Sequence, residues 1–441
     1  MINRWLFTHI DNSSLIIFRV FFGFLIAAEA IGAIFTGWVT RTLVEPKFTF
    51  NFIGLDFLQP LPGNGMYYYF AVMGIFGLLV MIGFKYRWSM ISYTILWAGV
   101  YFMQKASYNN HYYLLLLLCI LMCTLPAGNY FSVDVKRNPL LKKIAMPRWC
   151  VLVIIAQLWI VYTYASVAKL YPDWLDFTVA KNLMAGKANY PIVGEILQER
   201  WAHVFIAYYG ILFDLLIVPL LLWKRTRLAA FCFSVFFHIF NSIVFQIGIF
   251  PYLSLAFTVF FFSRERIHHL FMKKKEFYNE GEIIIPSYRK FLIPVITLWF
   301  IIQILLPIRH WTIPGDVLWT EEGHRMSWRM MLRGRYGTTN FYVVDKNDPK
   351  ALQKLINKND YLSKKQLRLV SSKPDAMWQF AQRLKTEYAT KEKDIAIYVH
   401  SKVSINGKKY QTLIDPKVDL ANASWNYFTT NPWILKYEEK E

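Results

Sequence analysis

The stretch TYASVAKLYPDW (163–174) ends an apolar run on Lys169, behind the small residues Ala165, Ser166 and Ala168. Small side chains let a second helix or a ligand approach closely. A lysine that sheds its hydration there is favoured as the neutral amine, which is a base near neutral pH; the competing use of such a residue is a snorkelling anchor. Two further motifs carry polar groups beside apolar runs. QKASYNNHYY (104–113) holds Lys105, Asn109, Asn110 and His111, while FFHIFNS (236–242) sets His238 and Asn241 three residues apart, on one helix face. WTEEGHRMSWRMMLRGRYG (319–337) adds His324, Arg329, Arg333 and Arg335. Such a cluster is either a solvated basic loop or a site that grips a carboxylate bidentately.

The elements that must position these residues follow from composition. Of 441 residues 55% are hydrophobic and 18% charged, against about 25% charged in soluble domains, and the apolar residues come in blocks near bilayer length. The expected fold is an all-α polytopic membrane bundle of about nine transmembrane helices, near 14–36, 66–83, 88–104, 111–127, 149–169, 201–223, 228–246, 248–263 and 291–307. Residues 228–246 and 248–263 form a tight hairpin turning at Gln246-Ile247-Gly248. Alternate loops carry eighteen basic residues on one side and six on the other, which places the N-terminus in the cytoplasm and residues 308–441 outside it. The same bias accounts for the net charge of +20, and no basic stripe accompanies a nucleic-acid module. The N-terminus lacks a small-residue cleavage site, so the first apolar stretch reads as a retained span. Cys119, Cys123, Cys150 and Cys232 have neither CxxC nor Cys/His spacing, so neither a disulfide framework nor a metal is expected.

The tail is polar and patterned differently. DIAIYVHSKVSINGKKYQTLID (394–415) alternates like a strand and turns at Asn406-Gly407; DAMWQFAQRLKTEYA (375–389) places Met377, Phe380, Ala381 and Leu384 on one helix face. The domains expected are therefore a membrane domain over 1–307, an outer loop over 308–339 that completes the site, and a small α+β extracytoplasmic C-terminal domain over 340–441. On this threading Asn110, His111, Lys169, His238 and Asn241 fall at one outer depth, which points to a shared pocket. The other ionisable residues inside spans each cost roughly 2.5–3.5 kcal/mol to insert. Arg19 and Glu29 read as an internal packing pair or as snorkelling span ends, and Asp214 as a structural partner of a cation on a neighbouring helix. His203 completes the set.

These motifs are also the ones by which the chain resembles the vitamin K-dependent γ-glutamyl carboxylases, more closely the bacterial members carrying the horizontally transferred transmembrane (HTTM) domain. The matching pieces are LIIFRVFFGFLIAAE (15–29), LDFLQPLPG (55–63), KASYNNHYYL (105–114), YASVAKLYPDW (164–174), FFHIFNSIVFQIGIFPYLSLA (236–256), EEGHRMSWRMMLRGR (321–335) and VSINGKKYQTLIDPKVDLA (403–421). The resemblance implies an enzyme of the carbon-carbon lyase class in which a membrane lysine deprotonates a reduced vitamin K or menaquinol-type quinol. Reaction with O2 then yields a base strong enough to take the γ-proton of a peptide glutamate; CO2 adds, and quinone epoxide is the co-product. Carried over by motif, Lys169 is the base, His111 handles a later proton with Asn110 beside it, and His238 and Asn241 sit at the quinone head group. Arg333 and Arg335 fall at positions that hold the glutamate, although the family has a histidine where Arg333 stands. A secreted Glu-containing peptide or protein is the implied partner, with the lipid bilayer, in an inner (cytoplasmic) membrane. The thiol that animal enzymes carry before LPLP is missing, since residues 37–65 hold no cysteine, and a tail of about 130 residues leaves little room for a propeptide exosite. Two other readings stay open: a quinol epoxidase acting on another substrate, and a non-enzymatic quinone- or lipid-binding protein.

Overall fold

In the computed structural model the described residues are 1–348, 353–389 and 394–438. Each of the nine apolar segments forms a helix: α1 (Ser13–Phe35), α2 (Gly65–Ile82), α3 (Tyr86–Met103), α4 (Asn110–Thr124), α5 (Trp149–Val167), α6 (Arg200–Leu222), α7 (Arg227–Phe245), α8 (Phe250–Ala256) and α9 (Arg289–Ile308). Length and hydropathy alone do not confirm the expected count of nine spans. Among the described residues six helices are long and apolar enough to cross a membrane: α1, α2, α5, α6, α7 and α9. At 1.5 Å per residue α4, with 15 residues, rises about 22 Å, and α8 with its 3-10 extension through Phe260 is shorter still, against a hydrocarbon core of roughly 30 Å. α3 has 18 residues but is diluted by Arg87, Ser89, Ser92 and several aromatic residues.

The hairpin between α7 and α8 is present, with left-handed backbone at Gln246 and Gly248. α1 and α2 cross so closely that a Cβ on Gly77 would stand 2.8 Å from the Ala27 backbone, a contact available only to glycine. α5 lies along α6, tied by Ser166 Oγ donating to the Ile211 carbonyl at 3.0 Å.

The charged residues α1 carries inward are not paired with each other. Arg19 donates to the carbonyls of Ala127 (3.0 Å) and Tyr130 (3.2 Å), whereas Glu29 accepts the Tyr112 hydroxyl at 2.8 Å. His203 bonds the Leu197 carbonyl at 3.0 Å. These groups hold the bundle together.

The tail folds as an antiparallel sheet in the order β4-β3-β5-β6, from β3 (Arg335–Asp345), β4 (Lys354–Leu355), β5 (Ile395–Ile405) and β6 (Gln411–Thr412); β1 (His9–Asp11) and β2 (Ala145–Pro147) form a separate ribbon. Two helices pack on this four-stranded sheet, α10 (Lys364–Val370) and α11 (Pro374–Tyr388). Met377, Phe380, Ala381 and Leu384 are fully buried against Ile397, Val399 and Phe341, so the helical spacing and the strand alternation do what their periods dictate. Phe50 and Trp319 join the same core. Gln366 and Gln379 donate to the backbone of Phe48 (2.6 Å) and Asn51 (3.1 Å), which seats the tail on the loop after α1.

Candidate functional site

Three consecutive residues at the start of α4 have three different jobs. Asn109 caps the helix, its side-chain oxygen accepting the Tyr112 amide at 2.7 Å. Asn110 is a strut: its oxygen accepts the Tyr108 hydroxyl at 2.9 Å and its amide donates to the Arg329 carbonyl at 3.2 Å. His111 stacks on Phe250 of α8, ring centroids 4.0 Å apart, and faces a cavity.

That cavity, of about 400 Å³, runs between α4, α5, α6, α7 and α8 and brings together His111, Lys169, His238 and Asn241. Asn110 is not on its wall. Lys169 lies just past the end of α5, pointing its Nζ at the Ala165 carbonyl (3.1 Å), 5.6 Å from the Trp174 ring and in direct ion pair with Asp214 of α6. Asp214 lines the same cavity, so it is more than a distant structural counter-ion. His238 is buried; its Nε2 meets the Tyr162 hydroxyl at 3.3 Å, and its Nδ1 has no partner among the described residues. The remaining wall is mostly aromatic and aliphatic, including Trp174, Phe237 and Phe250.

A second cavity of about 470 Å³ lies against the first on the tail side. His111, Met330 and Met331 line both. The partition belongs to the loop 321–333, where Glu321, Met326, Trp328 and Met331 all have positive φ between 54° and 64°. Side chains other than glycine pay for that conformation, and such residues gather at functional sites. Lys105, Arg325, Arg329, Arg333, Arg335 and Lys373 line this second cavity with the carboxylate of Glu321.

The charges there are arranged in two knots. Glu321 receives Arg333, with Nε at 2.9 Å, Lys373 at 2.7 Å and Arg335 at 3.5 Å. Burial opposes ionisation, yet Arg333 and Lys373 hold the Glu321 carboxyl well below the usual carboxylate range. Burial and the neighbouring Arg333 in turn hold the Lys373 amine down to about 7. In the second knot Asp375 takes Lys105 and Arg325, each at 2.6 Å. Burial lowers the Lys105 amine to about 8, the Asp375 charge working against it.

Arg333 also donates to His324 Nε2 at 3.0 Å. Arg335 spends its guanidinium on the carbonyls of Ser372 (3.1 and 2.6 Å) and Trp319 (2.8 Å). Both arginines expected at the glutamate are therefore in place in the cavity but satisfied by the protein itself. Sequence reasoning gave no role to Glu321, Lys373, Tyr162 or Trp174 and only a structural one to Asp214. A signal existed for Glu321 alone, an acid beside four bases in one motif.

Six apolar helices of spanning length, a buried lysine site among them, and an α+β tail joined to that site through the loop of Met330 and Met331 define a multi-pass membrane protein with an appended polar domain. The two parts match two family models: residues 7–265 the HTTM domain, and residues 288–440 the lumenal domain of the vitamin K-dependent gamma-carboxylase. The chain belongs to the HTTM family and carries a match to the vitamin K-dependent gamma-carboxylase lumenal domain, as its motifs led us to expect. No solved structure matches it. These domains support a membrane carboxylase-like function, with reduced vitamin K, O2 and CO2 as the reactants the family implies.

Proposed function

We propose that the chain is an integral-membrane, quinol-dependent γ-glutamyl carboxylase, forming quinone epoxide as it carboxylates a peptide glutamate. One observation carries this reading: an apolar cavity holding Lys169 and Asp214 shares the wall formed by His111, Met330 and Met331 with a cationic cavity. A lipid-soluble reactant and an acidic one can so reach opposite faces of one partition.

The first cavity fits a quinol head group. Its volume lies within the range of about 300–1,000 Å³ usual for small-molecule sites, its walls are aromatic, and the unpartnered His238 Nδ1 offers a buried polar contact. Asn241 adds an amide on the same helix face. When bound, the quinol supplies with O2 the strong base that frees the glutamate γ-carbon to take up CO2. Lys169, as the neutral amine, accepts the quinol's hydroxyl proton, and the Asp214 carboxylate that pairs with it is the counter-ion of the ammonium so formed. His111, on the shared wall, handles the later proton, while Asn110 fixes the start of α4 and the Arg329 carbonyl to each other. Closure by the tail keeps water from the strong base.

With all nine helices threaded through the bilayer, an odd number, the excess of basic residues in one set of loops supports a cytoplasmic N-terminus and a tail on the opposite side, from which a secreted Glu-containing peptide arrives. In a bacterial host this is the inner membrane, with menaquinol as the natural quinol. The full occupancy of Arg333 and Arg335 favours the second reading, an epoxidase acting on something other than peptide glutamate. Purified protein given reduced vitamin K and O2 should form epoxide, and Lys169→Ala should abolish it in a protein that still folds. Label from CO2 entering a Glu-containing peptide establishes carboxylation; epoxide without label leaves only the second reading.

A further inference from the structure

If Arg333 and Arg335 are occupied, another cation must meet the substrate, and the second cavity contains one suited to it. Charges there do not balance: Lys105 and Arg325 share Asp375, and Arg333, Arg335 and Lys373 share Glu321. Three further bases line the cavity, Arg329, Lys365 and Arg368. Arg368 is exposed, and Lys365 donates to Ser107 Oγ at 2.7 Å near the rim.

Arg329 is the inner one. It forms no ion pair among the described residues. Its Nη1 donates to His310 Nε2 at 3.3 Å, which leaves the edge made by Nε and Nη2. Nε is buried and has no hydrogen-bond partner among the described residues. That edge of a guanidinium is one that takes a carboxylate through two parallel N–H bonds. The backbone of Arg329 is held by Asn110, the neighbour of His111, and the next two residues are the Met330 and Met331 of the partition. Burial and the nearby Arg333 lower the guanidinium to about 10, with only partial relief from Asp316 and Glu321. The residue is thus a half-buried cation with a buried, unpartnered Nε and no ion pair among the described residues, beside the wall shared with the apolar cavity.

We infer that Arg329 is the anchor for the side-chain carboxylate of the peptide substrate, receiving it bidentately through Nε and Nη2, while Arg333 and Arg335 build the cavity around Glu321. This rests on the carboxylase reading and deepens it. It moves the specificity-determining contact from the two arginines at the end of the motif to the one beside the partition.

The test is binding of a fluorescent peptide to the full chain in lipid nanodiscs, with a Glu peptide compared against the same peptide carrying Gln. The wild type should prefer Glu by about tenfold or more, as a charge-assisted pair is worth about 1.5–3 kcal/mol. Arg329→Gln should reduce that preference to near unity while leaving Gln-peptide binding in place, and Arg329→Lys should restore part of it. A wild type that binds both peptides equally defeats the carboxylase reading itself. A wild type that prefers Glu, with that preference intact in Arg329→Gln, overturns the role of Arg329 alone. Should Arg329→Gln fail to fold by thermal melt, Arg329→Lys decides: as a compact ammonium cannot reproduce the fork, an undiminished preference overturns the bidentate contact.

Discussion

The two cavities lie against one partition and are built on opposite principles. In the apolar one, ionisable groups are few and each has a fixed neighbour: Lys169 against Asp214, His238 against Tyr162. In the polar one, basic side chains crowd around two carboxylates and outnumber them. An isolated charge in a low-dielectric wall is costly unless paired, so the first cavity can hold only a charge it makes and neutralises locally. A surplus of like charge near water is tolerable and attracts an anion. On the proposed function, proton abstraction and substrate capture are separated by chemistry as well as by space, and His111 is the one ionisable side chain among the described residues that lines both cavities.

That contrast can be broken at several points. The largest effect belongs to the apolar cavity: Lys169→Ala should cut epoxide formation by roughly 10²–10⁴-fold, the usual value of a positioned base, measured as epoxide per enzyme with folding checked by thermal melt. An unchanged rate would remove Lys169 from the chemistry. In the polar cavity, Arg333→Gln should instead cost stability, on the order of 3–5 kcal/mol, because Glu321 is left buried without its main partner; denaturant unfolding with little change in stability would mean that the Glu321 knot is not structural. His111→Ala sharpens the comparison at the wall itself, and should raise the ratio of epoxide formed to CO2 fixed. Equal loss of both would assign His111 to the apolar side alone.

A smaller effect is expected from pH. Lys373 has a folded pKa of about 7, below that of the unfolded chain, so the amine is charged below that value and neutral above it. It is faced by Arg333, Arg335 and Glu321. Losing a cation weakens anion capture, so Glu-peptide affinity should fall a few-fold as pH rises from about 6 to about 8, and Lys373→Met should flatten the profile. Stability has the opposite sign: the unfolded amine keeps its proton up to about 10.5, so stability should rise with pH from about 7 upward as the buried amine sheds its own. The smallest change is Asn110→Ala, which removes the hydrogen bonds to the Arg329 carbonyl and from the Tyr108 hydroxyl, each worth about 1 kcal/mol, and should raise the peptide KM before it lowers kcat.

Much of this was legible in one dimension. Hydrophobic blocks and their basic loops marked the helices, because a membrane admits little else; the alternation at Ile395, Ile397 and Val399 marked β5, and Met377, Phe380, Ala381 and Leu384 marked the packed face of α11. Of the five residues that the threading brought together, His111, Lys169, His238 and Asn241 line one cavity and Asn110 does not. Span length was read less well, since an apolar run does not reveal where its helix stops: Leu125 and Pro126 end α4 early.

Chain order, composition and period thus determined which segments are helices and which form the sheet. Only the folded arrangement decided which polar groups meet. Asp214 is 45 residues from Lys169 and reaches it through the rotation of α6 against α5. Arg329, Arg333 and Arg335 are equivalent bases in the motif until Glu321, Ser372 and Trp319 claim two of them. Pairing between charges falls off over a few ångströms, and separations of that size are set by packing.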